Sequence, residues 1–368
     1  VAFAVESDID MIAYAIGMDP YEFRMLNGLE EGDTSPLGHH WKNINLKEVL
    51  RRAAEAAGWG QPKPAPNVGR GIACAQRHVG TGNADAVVRA EPDGTVTVVT
   101  GVFDVGTGAL TVLQQIVAET LTLPIERVRV EVGGTDRGTP DSGSGASRVT
   151  HVTGQAVYRA AQAVADQLRG IAARALGVSA GDVRLENGRF VVVHDGGRAL
   201  PWDEVAASGP VEARGSYKQD HTEYTNFTVQ VAEVAVDRET GQVHVRRLVS
   251  AHDVGTIINP LAHQGQIDGG AIMGVGFATM EELRIEDGRV VTANLGEFKI
   301  PTIQDIPALV TVLVENPEGP SPYQGKAIGE SGNVPTAAAI ANAVYDAVGV
   351  RITDLPITAE KVRRALQS

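Results

Sequence analysis

Short apolar alternations broken by tight turns recur along this chain, and they limit what it can fold into. "VRLENGRFVVV" is two such runs around Asn187-Gly188, a dipeptide suited to the positive φ angles of a two-residue hairpin. "VAEVAVDRETGQVHVRRLVSAHDVG" repeats the pattern around Thr240-Gly241, and "LRIEDGRVVTAN" repeats it again. Pro92 to Gly94 joins "DAVVRAE" to "TVTVVTGVF" in the same way, after the strand pattern "GIACAQRHV". Hairpins make antiparallel neighbours, whereas a parallel sheet needs a crossover after each strand. Helical periods separate these units: two short ones over 6–29, then 46–59, 109–121, 147–176, 262–281 and two near the C-terminal end. The combination predicts an α+β fold with mixed sheets and packed helices.

The 368 residues allow two or three domains. The proline-rich stretch "GQPKPAPNVG" (60–69) is the clearest connector. We therefore expect a helical segment over 1–60, one α+β unit over 61–220 and a second over 221–368. Val1 stands inside a helical pattern that is already under way, and Asp19-Pro20 opens the next helix as cap and first residue. The numbering is thus expected to begin inside a longer or processed polypeptide.

Charge and cysteine usage narrow the function. Against 45 acidic residues stand 32 basic ones, a net −13 that lacks the basic footprint of a nucleic-acid partner. No apolar run has the length of a membrane span, and Glu6, Asp8 and Asp10 sit where a signal peptide would be basic and then apolar. A cytoplasmic location is the expectation. Cys74 is the single cysteine, so no intrachain disulfide can form and a four-thiolate cluster cannot lie within the chain. Its place in "GIACAQ" predicts a buried, inert thiol.

Three glycine-rich segments carry candidate chemistry. "GVFDVGTGALTVLQQ" runs strand, glycine turn, helix, the order that offers N–H groups to a phosphate, but no third glycine follows Gly106 and Gly108. A plain turn and a cofactor loop both remain open for it. "SGSGASRVT" (142–150) offers the hydroxyls of Ser142, Ser144 and Ser147, close approach at Gly143 and Gly145, and the charge of Arg148 at a helix start. A helix cap is the simpler reading; the long loop before it (134–147) favours an anion or cofactor site. "GKAIGESGN" sets Glu330 between Gly329 and Gly332, where a carboxylate can be held against something, although for this segment alone a glycine-rich turn with a solvated glutamate is the simpler reading. The histidines are scattered without metal-ligand spacing, and no G-x-S-x-G elbow occurs.

Together these segments resemble the molybdenum hydroxylases of the xanthine oxidase and aldehyde oxidase family, in the C-terminal part of their molybdopterin-binding subunit. The likeness runs through "FAVESDIDMIAYAIGMDPYEFRMLN", "FDVGTGALTVLQQIVAETL", "SGSGASRVTHVTGQAVYRAA", "HDVGTIINPLAHQGQIDGGAIMGVGFATMEEL", "EFKIPTIQDIP" and "GKAIGESG", in matching order and spacing. It implies that Glu330, in the pattern Gly325, Lys326, Gly329, Glu330, is the catalytic base beside molybdenum. Gly145, Ala146 and Ser147, with Arg148, would form the loop at the metal and pterin. Gly106, Thr107 and Gly108 would form a second cofactor loop, with Thr107 where relatives often carry glutamine, and Met273 would stand at another pterin-contacting position. Lys326 would belong to the cofactor side as well.

The resemblance further implies a molybdopterin cofactor, in its cytosine dinucleotide form by bacterial habit. The pterin dithiolene, and no protein ligand, would hold the molybdenum. The reaction would hydroxylate a carbon of an aldehyde or N-heteroaromatic small-molecule substrate using water. Electrons would pass to iron–sulfur clusters on one partner subunit and to FAD on another. The family's F-G-G and R-G-x-G loops are not found in residues 1–368, which implies a second molybdopterin-binding polypeptide, as in nicotinate dehydrogenase-like members, or a removed upstream part. Two alternatives are a nicotinamide-dependent dehydrogenase, opposed by Ala109 to Thr111 where the fingerprint needs glycine, and a non-catalytic assembly subunit, opposed by Glu330.

Overall fold

The computed structural model describes residues 1–134, 139–221 and 223–368. Residues 135–138 of the expected long loop lie outside the described residues. Helices α1 (Ala2–Ala15) and α2 (Pro20–Asn27) open the chain, and the Asp19 carboxylate accepts the N–H groups of Tyr21 and Glu22 to cap the second. Helix α3 (Leu46–Ala57) ends on Gly58 in the left-handed conformation. Then come β1 (Val68–His78), β2 (Gly82–Ala90), β3 (Val96–Thr100), α4 (Ala109–Thr120), β4 (Val128–Val132) and α5 (Val149–Leu176). A small region follows, with β5 (Val183–Glu186), β6 (Arg189–Val192), β7 (Asp195–Pro201), α6 (Trp202–Ala206) and β8 (Val211–Gln219). Long strands β9 (Thr225–Val236) and β10 (Val243–Asp253) lead to α7 (Pro260–Thr279). The chain closes through β11 (Ile285–Glu286), β12 (Arg289–Val290), α8 (Leu295–Phe298), β13 (Ala308–Val314), α9 (Thr336–Val348) and α10 (Ala359–Gln367).

Two four-stranded sheets carry the fold, in the orders β1-β9-β10-β13 and β4-β3-β2-β8. Both are mixed: β10–β13 and β3–β4 pair parallel, and the other pairs are antiparallel. The fold is α+β, as the hairpin pattern predicts. The hairpins at Asn187-Gly188 and Thr240-Gly241 form, whereas "LRIEDGRVVTAN" pairs over two residues on each side.

Period-two alternation splits the first sheet into two apolar faces. Ile72, Val229, Val231 and Val249 pack under Val49 and Leu50 of α3, while Ala73, Ala232, Val234 and Leu248 pack under Ile340 and Val344 of α9. Strand β9 is therefore apolar on both sides over much of its length, as a central strand must be. Helix α9 lies directly on the β1 backbone: a Cβ on Gly71 would fall 2.1 Å from the N of Ala343. The second sheet buries its core against α4 and α5, with Val88, Val98, Leu113, Ile116 and Val157 fully enclosed.

The connector at 60–69 does not separate packed units. Strand β1 pairs with β9 from Val68↔Ala235 to His78↔Thr225, so it belongs with strands expected in the 221–368 unit. Helix α3, expected in the 1–60 segment, covers the same sheet. Among the described residues no helix is long and apolar enough to cross a membrane.

Candidate functional site

The loop at 325–330 starts beside the end of β10, where Gly255 and Gly325 form a bridge and the Lys326 N–H donates to Val254 O at 2.9 Å. The Lys326 ammonium turns inward. It donates to Asp253 Oδ2 at 2.6 Å and to Asn43 O at 2.8 Å, and neither side chain of the ion pair is exposed. Burial pushes Lys326 down and Asp253 up, each opposed by the charge of the other. Its charge is neutralised inside the protein, so the ammonium anchors the loop, while Lys326 itself is among the residues lining the cavity described below.

Polar side chains on β9 hold the same loop from below. Asn226, Thr228 and Gln230 lie on one face and are at most 1% exposed. Groups so deeply buried need partners. Asn226 donates to Ala327 O and accepts from Ser331 Oγ; Gln230 donates to Gly332 O at 2.6 Å and accepts from Thr336 Oγ1 at 2.7 Å. Thr228 meets His252 Nδ1 at 3.1 Å, and Ser250 meets His252 Nε2 at 2.7 Å. Burial, with His263 nearby, pushes His252 down to about 3, so the ring is neutral and one nitrogen accepts. Sequence reasoning missed this row. Its signal was available, since "NFTVQV" places polar residues at every second position of a central strand.

Glu330 closes the loop. Its N–H donates to Ser147 Oγ at 2.9 Å, and Ser147 Oγ donates back to Glu330 Oε2 at 3.3 Å. Arg77, near the end of β1, pairs with the same carboxylate oxygen. Arg77 is the Cα partner of Asn226 across β1 and β9, so the two groups reaching this loop come from adjacent strands. No sequence motif marks Arg77; its neighbourhood is set by a pairing some 150 positions away.

Ser147 belongs to the turn before α5. Ala146 (φ 50°) and Ser147 (φ 57°) are both left-handed, a conformation that costs about 1–3 kcal/mol per non-glycine residue and concentrates at functional sites. Arg148 explains how the turn is held. It is 4% exposed and donates from Nε to Thr81 O, from Nη1 to Asp141 Oδ1 and Gly143 O, and from Nη2 to Asn83 O. Four of its five N–H groups are engaged within the chain, so Arg148 braces the turn while standing among the residues that line the cavity described below.

The Gly106–Gly108 turn does not present a free phosphate cradle either. Asp104 fills it, accepting from the N–H groups of Gly106 at 2.9 Å, Gly108 at 3.2 Å and Leu110 at 3.4 Å. Desolvation pushes Asp104 up, but these donors outweigh it and hold the carboxyl below its ordinary range. Thr107 still faces the site. Met273 does not: it is 61% exposed on α7 and lies outside the cavity wall.

These loops enclose a cavity of about 280 Å³, with Thr107, Ser144, Gly145, Ser147, Gly329 and Glu330 on its wall. Val105, Val112, Ile258 and Ala262 supply apolar surface. An apolar cavity with a few convergent polar groups is the usual form of a cofactor site. Gly145 tests the fit. It lines the cavity, yet a Cβ built on it meets nothing within 4 Å, so packing within the chain does not require glycine there. The space it leaves suits one end of an organic cofactor such as a pterin.

Comparison with known proteins shows the family to which the chain belongs. A family model described as "Molybdopterin cofactor-binding domain" matches residues 42–307. The aldehyde oxidoreductase molybdenum-binding subunit PaoC of Escherichia coli O157:H7 is 34% identical over 376 residues, covering 98% of this chain and 50% of PaoC. The 6-hydroxypseudooxynicotine dehydrogenase complex subunit gamma of Paenarthrobacter nicotinovorans is 30% identical over 392 residues, covering 98% and 49%. The crystal structure of quinoline 2-oxidoreductase from Pseudomonas putida 86 superposes with a TM-score of 0.90 at 28% identity, over 100% of this chain and 52% of that one. The chain spans about half the length of the curated relatives it matches. It belongs to the molybdenum hydroxylase family, as a molybdopterin cofactor-binding domain.

Proposed function

We propose that this chain supplies the catalytic base and part of the pterin cradle of an oxidoreductase that hydroxylates a carbon of an aldehyde or N-heteroaromatic substrate with oxygen from water. One observation carries the reading: Glu330 is tied to Ser147, the residue that closes the strained turn on the same cavity wall. Gly145, Ala146, Ser147 and Thr107 would hold the molybdenum–pterin group, which supplies the two-electron redox chemistry when bound. The chain's own residues do the rest. Ser147 holds Oε2 of Glu330, which Arg77 also meets in the substrate-free chain, and Oε1, which has no hydrogen-bond partner among the described residues, takes the proton as the new carbon–oxygen bond forms. Lys326, Asn226 and Gln230 fix the loop so that this carboxylate does not wander. A nicotinamide-dependent reading has less support, because Asp104 already fills the glycine turn.

The proposal extends to partners. Leu283, Ile285, Leu295 and Ile303 are 59%, 62%, 65% and 84% exposed between α7 and β13, the sort of surface that a second polypeptide covers. We assign that role to a second molybdopterin-binding polypeptide, with iron–sulfur and FAD subunits taking the electrons. The cofactor would be the cytosine dinucleotide form and the complex cytoplasmic.

Glu330→Gln tests the core of it. The variant keeps shape and hydrogen bonding but removes the proton acceptor, so turnover falls by about 10²–10⁴-fold while molybdenum content stays near wild type. Wild-type turnover in a metal-replete variant would refute the assignment.

A further inference from the structure

Three cations approach the site, and they differ in what they have left to offer. Arg148 has four N–H groups on acceptors, and Lys326 is sealed against Asp253. Arg77 is a third exposed, and among the described residues its side chain contacts a single oxygen, Oε2 of Glu330. Its Nε–H is buried without an acceptor. A guanidinium is built to take both oxygens of a carboxylate at once, and here that fork is filled at one point. The other oxygen of Glu330 is the one assigned to the proton. When Glu330 takes that proton, Arg77 loses its counter-charge, and a half-buried cation without one is costly.

We propose that Arg77 is a specificity-determining residue that receives a carboxylate of the substrate, releasing Glu330 as it does so. The inference rests on the reading of Glu330 as the base, and it narrows the substrate class to molecules that carry an anionic oxygen group beside the carbon to be oxidised. The geometry favours this over a purely structural pair. Arg77 and Glu330 are 33% and 46% exposed in their side chains, so the pair is open to solvent, and Glu330 carries it to the cavity wall, unlike the enclosed Arg24–Glu6 pair at 4% and 9%.

The test is equilibrium binding of benzoate and benzamide, measured by calorimetry, to the native enzyme that contains this chain. The two probes share ring and shape and differ in charge. Wild type is expected to bind benzoate about tenfold or more tightly than benzamide, the size of one charge-assisted hydrogen bond. Arg77→Gln abolishes that preference with benzamide binding unchanged, Arg77→Lys keeps part of it, and Glu330→Gln strengthens it by removing the competing carboxylate. Equal binding of the two probes by wild type, a preference that survives Arg77→Gln, or loss of benzamide binding in both arginine variants would each overturn the proposal. Because binding is read without turnover, a failure here is distinct from a failure of Glu330 as the base, which the turnover of Glu330→Gln reports.

Discussion

Ser147 and Glu330 are joined twice: the serine hydroxyl accepts the glutamate N–H at 2.9 Å and donates to the glutamate Oε2 at 3.3 Å. One oxygen atom thereby fixes both the backbone and the carboxylate of the proposed base. It also ties two loops that are 183 positions apart, each closing off a different sheet.

Removing that hydroxyl should loosen the base without removing it. Ser147→Ala is expected to lower kcat/KM about tenfold, the worth of one to two oriented hydrogen bonds, with molybdenum content unchanged. Steady-state kinetics with metal analysis checks it. An unaffected rate would show that Arg77 alone places Glu330.

Gly145 gives a complementary prediction about the cofactor. Its φ is not left-handed and a Cβ there meets open space, so Gly145→Val should fold normally. The branched side chain would instead fill the cavity. The expected result is loss of pterin from a protein that melts with cofactor-free wild type, below the loaded form, read by pterin fluorescence after release and by melting curves.

How much of this was legible in the sequence follows from the distance over which each feature is determined. The hairpins at Asn187-Gly188 and Thr240-Gly241 are local, and they formed as the turn chemistry requires. The glycines flanking Glu330 suit a solvated turn as well, so the residue stands out in the sequence only through the resemblance of the whole Gly325, Lys326, Gly329, Glu330 pattern. What depends on pairing across the chain was not legible. Strand β1 looks like the start of a new unit, yet it completes the sheet of β9, and only that pairing brings Arg77 to Glu330. Charge was misleading for a related reason. Arg148 stands in the sequence as a charge for an anion or cofactor, but the fold also supplies Asp141 to pair with it, as it supplies Asp253 to Lys326.

The Lys326–Asp253 pair should matter for stability through what remains when it is broken. Lys326→Met leaves Asp253 with its charge buried and uncompensated, a change expected to cost about 3–5 kcal/mol. Replacing both, as Lys326→Met with Asp253→Leu, should recover much of that loss, since paired removal leaves no orphaned charge. Urea unfolding of the three variants decides it; equal destabilisation by the single and double changes would mean the pair acts through the geometry of the loop.

The last prediction concerns acid. His252 is wholly buried between Thr228 and Ser250, and burial pushes it down to about 3, from about 6.5 in the unfolded chain. Its folded pKa is depressed, so the unfolded state binds a proton that the folded state refuses whenever pH lies between these values. Stability is full above about pH 6.5 and falls as pH drops toward 3, at about 1.4 kcal/mol per pH unit. From pH 7 to pH 5 this histidine alone should remove about 2 kcal/mol. His151 and His263, each pushed by burial to about 4, add to the loss over the same window. Glutamine can serve both hydroxyls with a donor and an acceptor but cannot titrate. His252→Gln should therefore lose less stability than wild type between pH 7 and pH 5, as read from urea midpoints. Identical slopes would mean that His252 is already charged in the folded protein, and that the row of polar side chains on β9 carries a positive charge beneath Glu330.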